Sequence, residues 1–265
     1  MNIQHYYREA ARAELCASWA SLILGILFSC LHAAGFIYLH ILIAVGPFIA
    51  LSCFFFIKYT IQAGRGRDSI SETASRNPLS ESYLLFSFLP APTLRLLLFS
   101  SDGSAAGELR DCNMKSGLWL VPGFMTDLLK KNYCLIDSEG RNLYAYTVKG
   151  FFSQTMEIRN RNGEITGLYK EEQKQSMLKI RGTVFDPLDV PMMAVSFGAG
   201  QGGFKAKDGK GAGIGSMQKG YLPVPWQERF KKINTPVIHF SELADDDERA
   251  AVIGICALIC NGRNN

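Results

Sequence analysis

Charge is absent from one long stretch of this 265-residue chain. From Leu15 to Ile57, 43 residues, there is no Asp, Glu, Lys or Arg. A soluble helical core rarely stays uncharged for so long, while one membrane helix needs only about 20 apolar residues, so the length suits two spans. The run also exceeds the apolar region of a secretory signal peptide, about 7–15 residues. Enzymatic signatures are missing as well: there is no H-E-x-x-H, no pair of C-x-x-C motifs and no G-x-S-x-G. His239 is the only histidine beyond the apolar run. Cysteines are few and odd in number, seven in all. Cys16, Cys30 and Cys53 lie in the apolar run, and Cys256 and Cys260 in a hydrophobic stretch near the C-terminus. Only Cys112 and Cys134 remain, too few for a disulfide framework, so reduced thiols and a cytosolic environment are expected. The chain is 48% hydrophobic and 20% charged, which excludes disorder as its overall state.

The apolar run divides at His32–Gly35, giving one expected helix over about 15–34 and a second over about 36–57, with Pro47 tolerated inside it. Arg8 and Arg12 precede the first span, and Lys58, Arg65 and Arg67 follow the second. The positive-inside rule then places both termini in the cytoplasm and the protein in the cell membrane as a multi-pass chain. His32 and His40 read as polar residues near the far interface, with no metal role.

Four segments follow: a cytoplasmic N-terminal piece (1–14), a transmembrane helical hairpin (15–57), a polar linker (58–81) and a mainly β domain (82–265). In that domain Asn132–Ile136 and Asn142–Val148 flank the turn Asp137-Ser138-Glu139-Gly140. Thr155–Arg159 and Glu164–Lys170 flank Asn160-Arg161-Asn162-Gly163 in the same way. Glycine ends each turn because the last position often needs positive φ. Leu94–Phe99 followed by Ser100-Ser101-Asp102-Gly103 is a third hairpin candidate, and further strands are expected near 83–89, 118–121, 177–180 and 237–240. At the end, Asp245 with Glu248 forms a capping-box pattern ahead of Ala250–Cys260, where no side chain is polar. A helix apolar all round must be enclosed by protein or lipid, and this one is too short to cross a bilayer. It should lie buried inside the strands.

The repeated hairpins (Leu135-Ile136-Asp137 to Gly140, and Ile158 to Gly163) and the terminal apolar helix after Phe240 and the acid run carry a resemblance. Over about residues 82–263 the sequence resembles the tubby C-terminal-like superfamily, in its bacterial and LURP-one-related branch, which is related to phospholipid scramblases. The resemblance implies a closed antiparallel barrel of about a dozen strands around a central hydrophobic helix. It also implies lipid binding in some relatives and scramblase-type lipid handling in others. The second turn departs from the first by having Asn160 where Asp137 stands, and a Gly-rich stretch forms an insertion.

That stretch, near 198–220, reads as a flexible Gly/Lys-rich loop. Gly198, Gly200 and Gly203 satisfy G-x-G-x-x-G, but no helix pattern follows, so a dinucleotide site is not supported. From Lys205 to Lys232 there are seven bases (Lys205, Lys207, Lys210, Lys219, Arg229, Lys231, Lys232) against two acids. Such a segment below a bilayer meets anionic headgroups at about 1 kcal/mol per residue, with Trp226 and Phe230 as interfacial partners. These seven are the candidate headgroup-binding residues; no catalytic residue, metal site or cofactor is expected. The function expected is a membrane-anchored, non-enzymatic protein that presents the barrel to the cytoplasm and binds membrane lipids or a protein partner, not nucleic acid. The alternatives are an enzyme using the barrel as scaffold, for instance through His239 and a cysteine, and scramblase-type lipid handling.

Overall fold

The computed structural model describes residues 3–35, 41–68, 76–89, 91, 93–113, 131–150, 154–172, 179–198, 203–218, 220, 222–227, 230 and 235–262. The chain divides into two compact units, Asn2–Ile70 and Ser71–Asn265 with Met1. The expected strand at 118–121 and His40 lie outside the described residues.

The first unit is a helical pair, α1 (Ile3–Ala33) and α2 (Ile41–Asp68). Both helices are long and apolar enough to cross a membrane. They outrun the expected spans, and α2 continues through Thr60–Asp68, where a linker was expected. The polar residues there satisfy their backbone within the helix, and none of them is a proline. The helices meet through small residues. Ser18 and Ser52 donate to each other's backbone carbonyls, each at 3.0 Å. A methyl group at Gly25 would come within 3.3 Å of Phe48. Without a hydrophobic drive between helices in lipid, close approach and interhelical hydrogen bonds hold such pairs. Trp19, Ile23, Ile26, Ile43, Phe54 and Ile57 point outward, each more than half exposed.

The second unit is a closed barrel of twelve antiparallel strands in which every strand pairs with its chain neighbours and the last closes on the first. The strands are β1 (Tyr83–Phe88), β2 (Arg95–Phe99), β3 (Ala105–Asp111), β4 (Lys131–Asp137), β5 (Asn142–Lys149) and β6 (Thr155–Asn160). They continue as β7 (Ile165–Glu171), β8 (Lys179–Phe185), β9 (Pro191–Gly198), β10 (Phe204–Asp208), β11 (Gly213–Gln218) and β12 (Val237–Phe240). Among its described residues the unit also holds a single helical turn, α3 (Val224–Gln227), and a longer helix, α4 (Asp246–Gly262).

Alternation along the strands sends Leu96, Leu98, Leu135, Tyr146, Ile158, Tyr169, Phe197 and Phe204 into the core with α4, whose residues 250–260 are all buried. The capping box forms: Glu248 N donates to Asp245 Oδ1 at 2.8 Å, and Asp245 N to Glu248 Oε2 at 3.1 Å. Tyr146 Oη donates to the Ala250 carbonyl at 2.9 Å, and Tyr144 Oη to Asp247 Oδ1 at 2.7 Å. Arg249 donates to the carbonyls of Leu79, Ala244 and Ser241, binding the helix to the chain that leads into β1. Residues 76–81, expected as linker, therefore belong to the barrel unit.

Arg76 does the same for two turns. Its backbone N–H donates to Ser138 Oγ at 2.9 Å, and its guanidinium pairs with Glu81 and Asp102. Burial raises the Asp102 pKa, but hydrogen bonds from Ser104 and Ser100 and the charge of Arg76 outweigh it and bring it to about 2.

The expected reduced thiols are corrected. Cys112 and Cys134 form a disulfide, with Cα atoms 5.6 Å apart. Cys134 lies opposite Arg110 on β3, and Cys112 N donates to the Asn132 carbonyl, so the two cysteines are diagonal neighbours across one ladder. That separation is in the range a disulfide spans, and only the sheet brings the residues to it. The bond also removes both thiols from any pairing with His239.

Two outcomes test this packing. A methyl group at Gly254 would lie 2.6 Å from the Tyr146 ring, so Gly254→Ala should lower the unfolding midpoint in a thermal melt, by an amount equivalent to about 1–3 kcal/mol. An unchanged midpoint would show that α4 and β5 are not in register as described. Because the folded pKa of Asp102 lies below its ordinary value of 3.8, its contribution is present above about pH 4 and is lost as pH falls toward 2. Asp102→Asn should lower stability at pH 7 and flatten the acid limb of a stability–pH curve.

Candidate functional site

Over its described residues 203–218 the Gly/Lys-rich stretch is not a loop. It is the β10–β11 hairpin, turning through Asp208-Gly209-Lys210-Gly211. Phe204 and Ala206 point inward, so Lys205 and Lys207 project outward from the alternate positions. Lys210 is exposed in the turn. Asp208 Oδ1 accepts from the N–H groups of Lys210 at 2.9 Å and Ala212 at 2.7 Å, and Gly211 takes φ +89°. The glycines of the turn serve its backbone, not a phosphate. Lys219, Arg229, Lys231 and Lys232 lie outside the described residues.

Register extends the site across the barrel. Arg181 on β8 pairs with Ser196 on β9, Ser196 with Lys205, Lys205 with Ser216 on β11, Ser216 with His239 on β12, and His239 with Tyr83 on β1. All six lie on the outer face, in one row at right angles to the strands. Among the described residues, Arg181, Lys205, Lys207 and Lys210 form no ion pair. The one acid inside the hairpin, Asp208, has its Oδ1 occupied by turn amides.

At the far end of the row the surface changes character. Tyr83 meets His239 with ring centroids 4.7 Å apart and Trp226 edge-on at 5.4 Å. These rings, with Ser216, Gln218 and Val237, line a cavity of about 380 Å³ against α3. Trp226 is set by α3, whose segment is anchored by Phe230, buried and edge-on to Phe99 at 5.8 Å. Phe230 is thus part of the packing and not the interfacial contact expected of it. Cys256 and Cys260 are buried on α4, and burial pushes the Cys256 thiol up.

Of the candidate bases, Lys205 and Lys207 stand on β10 and Lys210 in its turn. Arg181, Ser216 and Tyr83 were missed, because they belong to three strands and share nothing in the sequence but outward parity; His239 had been singled out only for the enzymatic alternative. Comparison with protein-family models, curated proteins and solved structures finds no match.

Proposed function

We propose that this chain is a membrane-anchored, non-enzymatic protein whose tubby-like barrel binds anionic lipid headgroups at the cytoplasmic surface. One observation carries the reading: Arg181 and Lys205 share one outward row, Lys207 faces outward two residues on and Lys210 stands in the turn, and no described acid forms an ion pair with any of them. Each base near an anionic bilayer contributes about 1 kcal/mol. The two apolar helices support attachment, and the charges flanking them favour cytoplasmic termini. The filled barrel favours binding on its outside over an enzyme that uses the lumen as scaffold. Scramblase-type handling and an acidic protein partner are the competing uses of the same surface, and vesicle binding separates the partner from the lipid.

The disulfide favours a second reading of topology. Cytosolic thiols are kept reduced, so a Cys112–Cys134 bond suits a barrel on the oxidising side of the membrane, with the same outer face meeting that leaflet.

Flotation of the barrel unit, from Ser71 onward, with anionic and neutral vesicles tests the lipid. Changing Lys205, Lys207 and Lys210 together to Gln should weaken anionic binding on the order of 100-fold at low salt. Wild-type binding should itself fade as the Debye length falls to about 3 Å at 1 M salt. Equal binding by both proteins at low salt would remove lipid from the role of these residues. For topology, Asn162→Cys places a thiol on an exposed turn. A membrane-impermeant maleimide should label it only after cells are permeabilised; labelling in intact cells would retire the cytoplasmic placement in favour of the oxidising side.

A further inference from the structure

The aromatic end of the cross-strand row has chemistry that headgroup attraction does not use. We infer that the groove between α3 and strands β1, β12 and β11 is a binding site for a small anion carrying a flat ring, of the nucleoside monophosphate kind.

Size and preformation come first. A volume of about 380 Å³ falls within the roughly 300–1,000 Å³ of ligand pockets. The walls are set by packing: Tyr83 and His239 are paired strand residues, Ser216 is the next step in the row, and Gln218 pairs with Val237 in the adjoining row. Trp226 N donates to the Pro223 carbonyl at 2.9 Å, and the Trp226 carbonyl accepts from Phe230 N at 2.8 Å. The buried Phe230 fixes that segment in turn.

Lining chemistry then selects the ligand. Three π-systems lie at one end, and flat rings stack on such faces as bases do in proteins that bind single-stranded nucleic acid. The Gln218 amide, which can donate and accept along one edge as base-reading glutamines do, has no hydrogen bond to a described residue, and neither does the Ser216 hydroxyl. At the other end Ser216 lies opposite Lys205, with Arg181 further along the row. This polarity disfavours a cationic ligand in the aromatic corner. Three strand spacings separate Tyr83 from Lys205, about 14 Å, so inorganic phosphate cannot touch both ends while a ring joined to an anion by a short linker can.

The test uses the full chain in non-ionic detergent, titrated calorimetrically with adenosine 5′-monophosphate, adenosine, ribose 5-phosphate and inorganic phosphate. Adenosine 5′-monophosphate should bind at least tenfold more tightly than any fragment of it. Trp226→Ala should weaken it about tenfold, and Lys205→Gln should weaken it while leaving adenosine unchanged. Gln218→Leu, at a rim position, serves as a second variant if Trp226→Ala melts early. No heat with the nucleotide up to about 10 mM, tighter binding of ribose 5-phosphate than of the nucleotide, or undiminished binding by both Trp226→Ala and Gln218→Leu would overturn the proposal. The result is separable from the lipid reading, because Trp226→Ala and Gln218→Leu keep every base and should leave anionic-vesicle binding intact.

Discussion

Enclosure of α4 is the constraint on which the barrel unit depends. Eleven consecutive residues without a polar side chain leave the helix no face to give to water. A sheet closed on itself surrounds such a helix without leaving an edge. The fit is tight where the wall touches the helix. Gly254 on α4 lies under Tyr146, and within the wall Gly182 on β8 lies under Tyr169 of the adjoining strand β7, so two bulky side chains stand where glycine leaves room. The helix start cannot be left bare either. Asp245 and Glu248 satisfy its first amides, Tyr144 binds Asp247, and Arg249 ties the first turn to residues 79, 241 and 244. Loss of this junction would expose donors and a buried helix together, which is more costly than losing a surface contact of equal geometry.

Filling the lumen moves recognition to the outside. Outward side chains of an antiparallel barrel occur at every second position, so any site there must be assembled across strands by register. That is how the row from Arg181 to Tyr83 arises, and why its halves differ: bases and serines over β8–β11, rings over β12, β1 and α3. The outer face of β1 and β2 is different again. Leu85, Leu97 and Phe99 are buried although they alternate with the inward residues. That face is packed, not available, and Phe230 contributes to its cover.

The sequence was most informative where a local rule decides the structure. The hairpins at 132–148 and 155–170 were legible from alternation and turn glycines, and the enclosed helix from its lack of polar side chains. The Gly/Lys-rich stretch misled because its inward residues are small or separated by glycine, so Phe204, Ala206, Ile214 and Met217 show little hydrophobic contrast. Parity of two holds on β10, while the extra residue Ile214 and the glycines of β11 interrupt it. The disulfide and the aromatic groove were not legible at all. Both are products of register between distant segments, 22 residues apart for the cysteines and over 150 for Tyr83 and His239.

The turns show how the basic hairpin fits the fold. Five hairpins, β2–β3, β4–β5, β6–β7, β8–β9 and β10–β11, close with one pattern at the same end of the barrel. In each, the first turn residue (Ser100, Asp137, Asn160, Asp186, Asp208) accepts from the N–H three positions on and donates to the carbonyl four positions on. The fourth residue of the turn has positive φ in every case: Gly103, Gly140, Gly163, Asp189 and Gly211. A register shift falls beside each turn, with one extra residue in the strand that follows it (Ala106, Leu143, Thr166, Met192, Ile214), the signature of a bulge at a type I turn. Only Asp189 lacks glycine's freedom, and its carboxylate pairs with Lys170 at 2.8 Å. Asn160 in place of Asp137 is then no departure, since either side chain accepts the same two amides. The stretch at 208–211 is a further copy of this frame, needed to turn the chain whether or not it carries charge. What distinguishes it is the alternation of Lys205 and Lys207 before the turn and Lys210 within it. Turn chemistry explains the glycines and leaves the lysines to be explained by what meets the outer face.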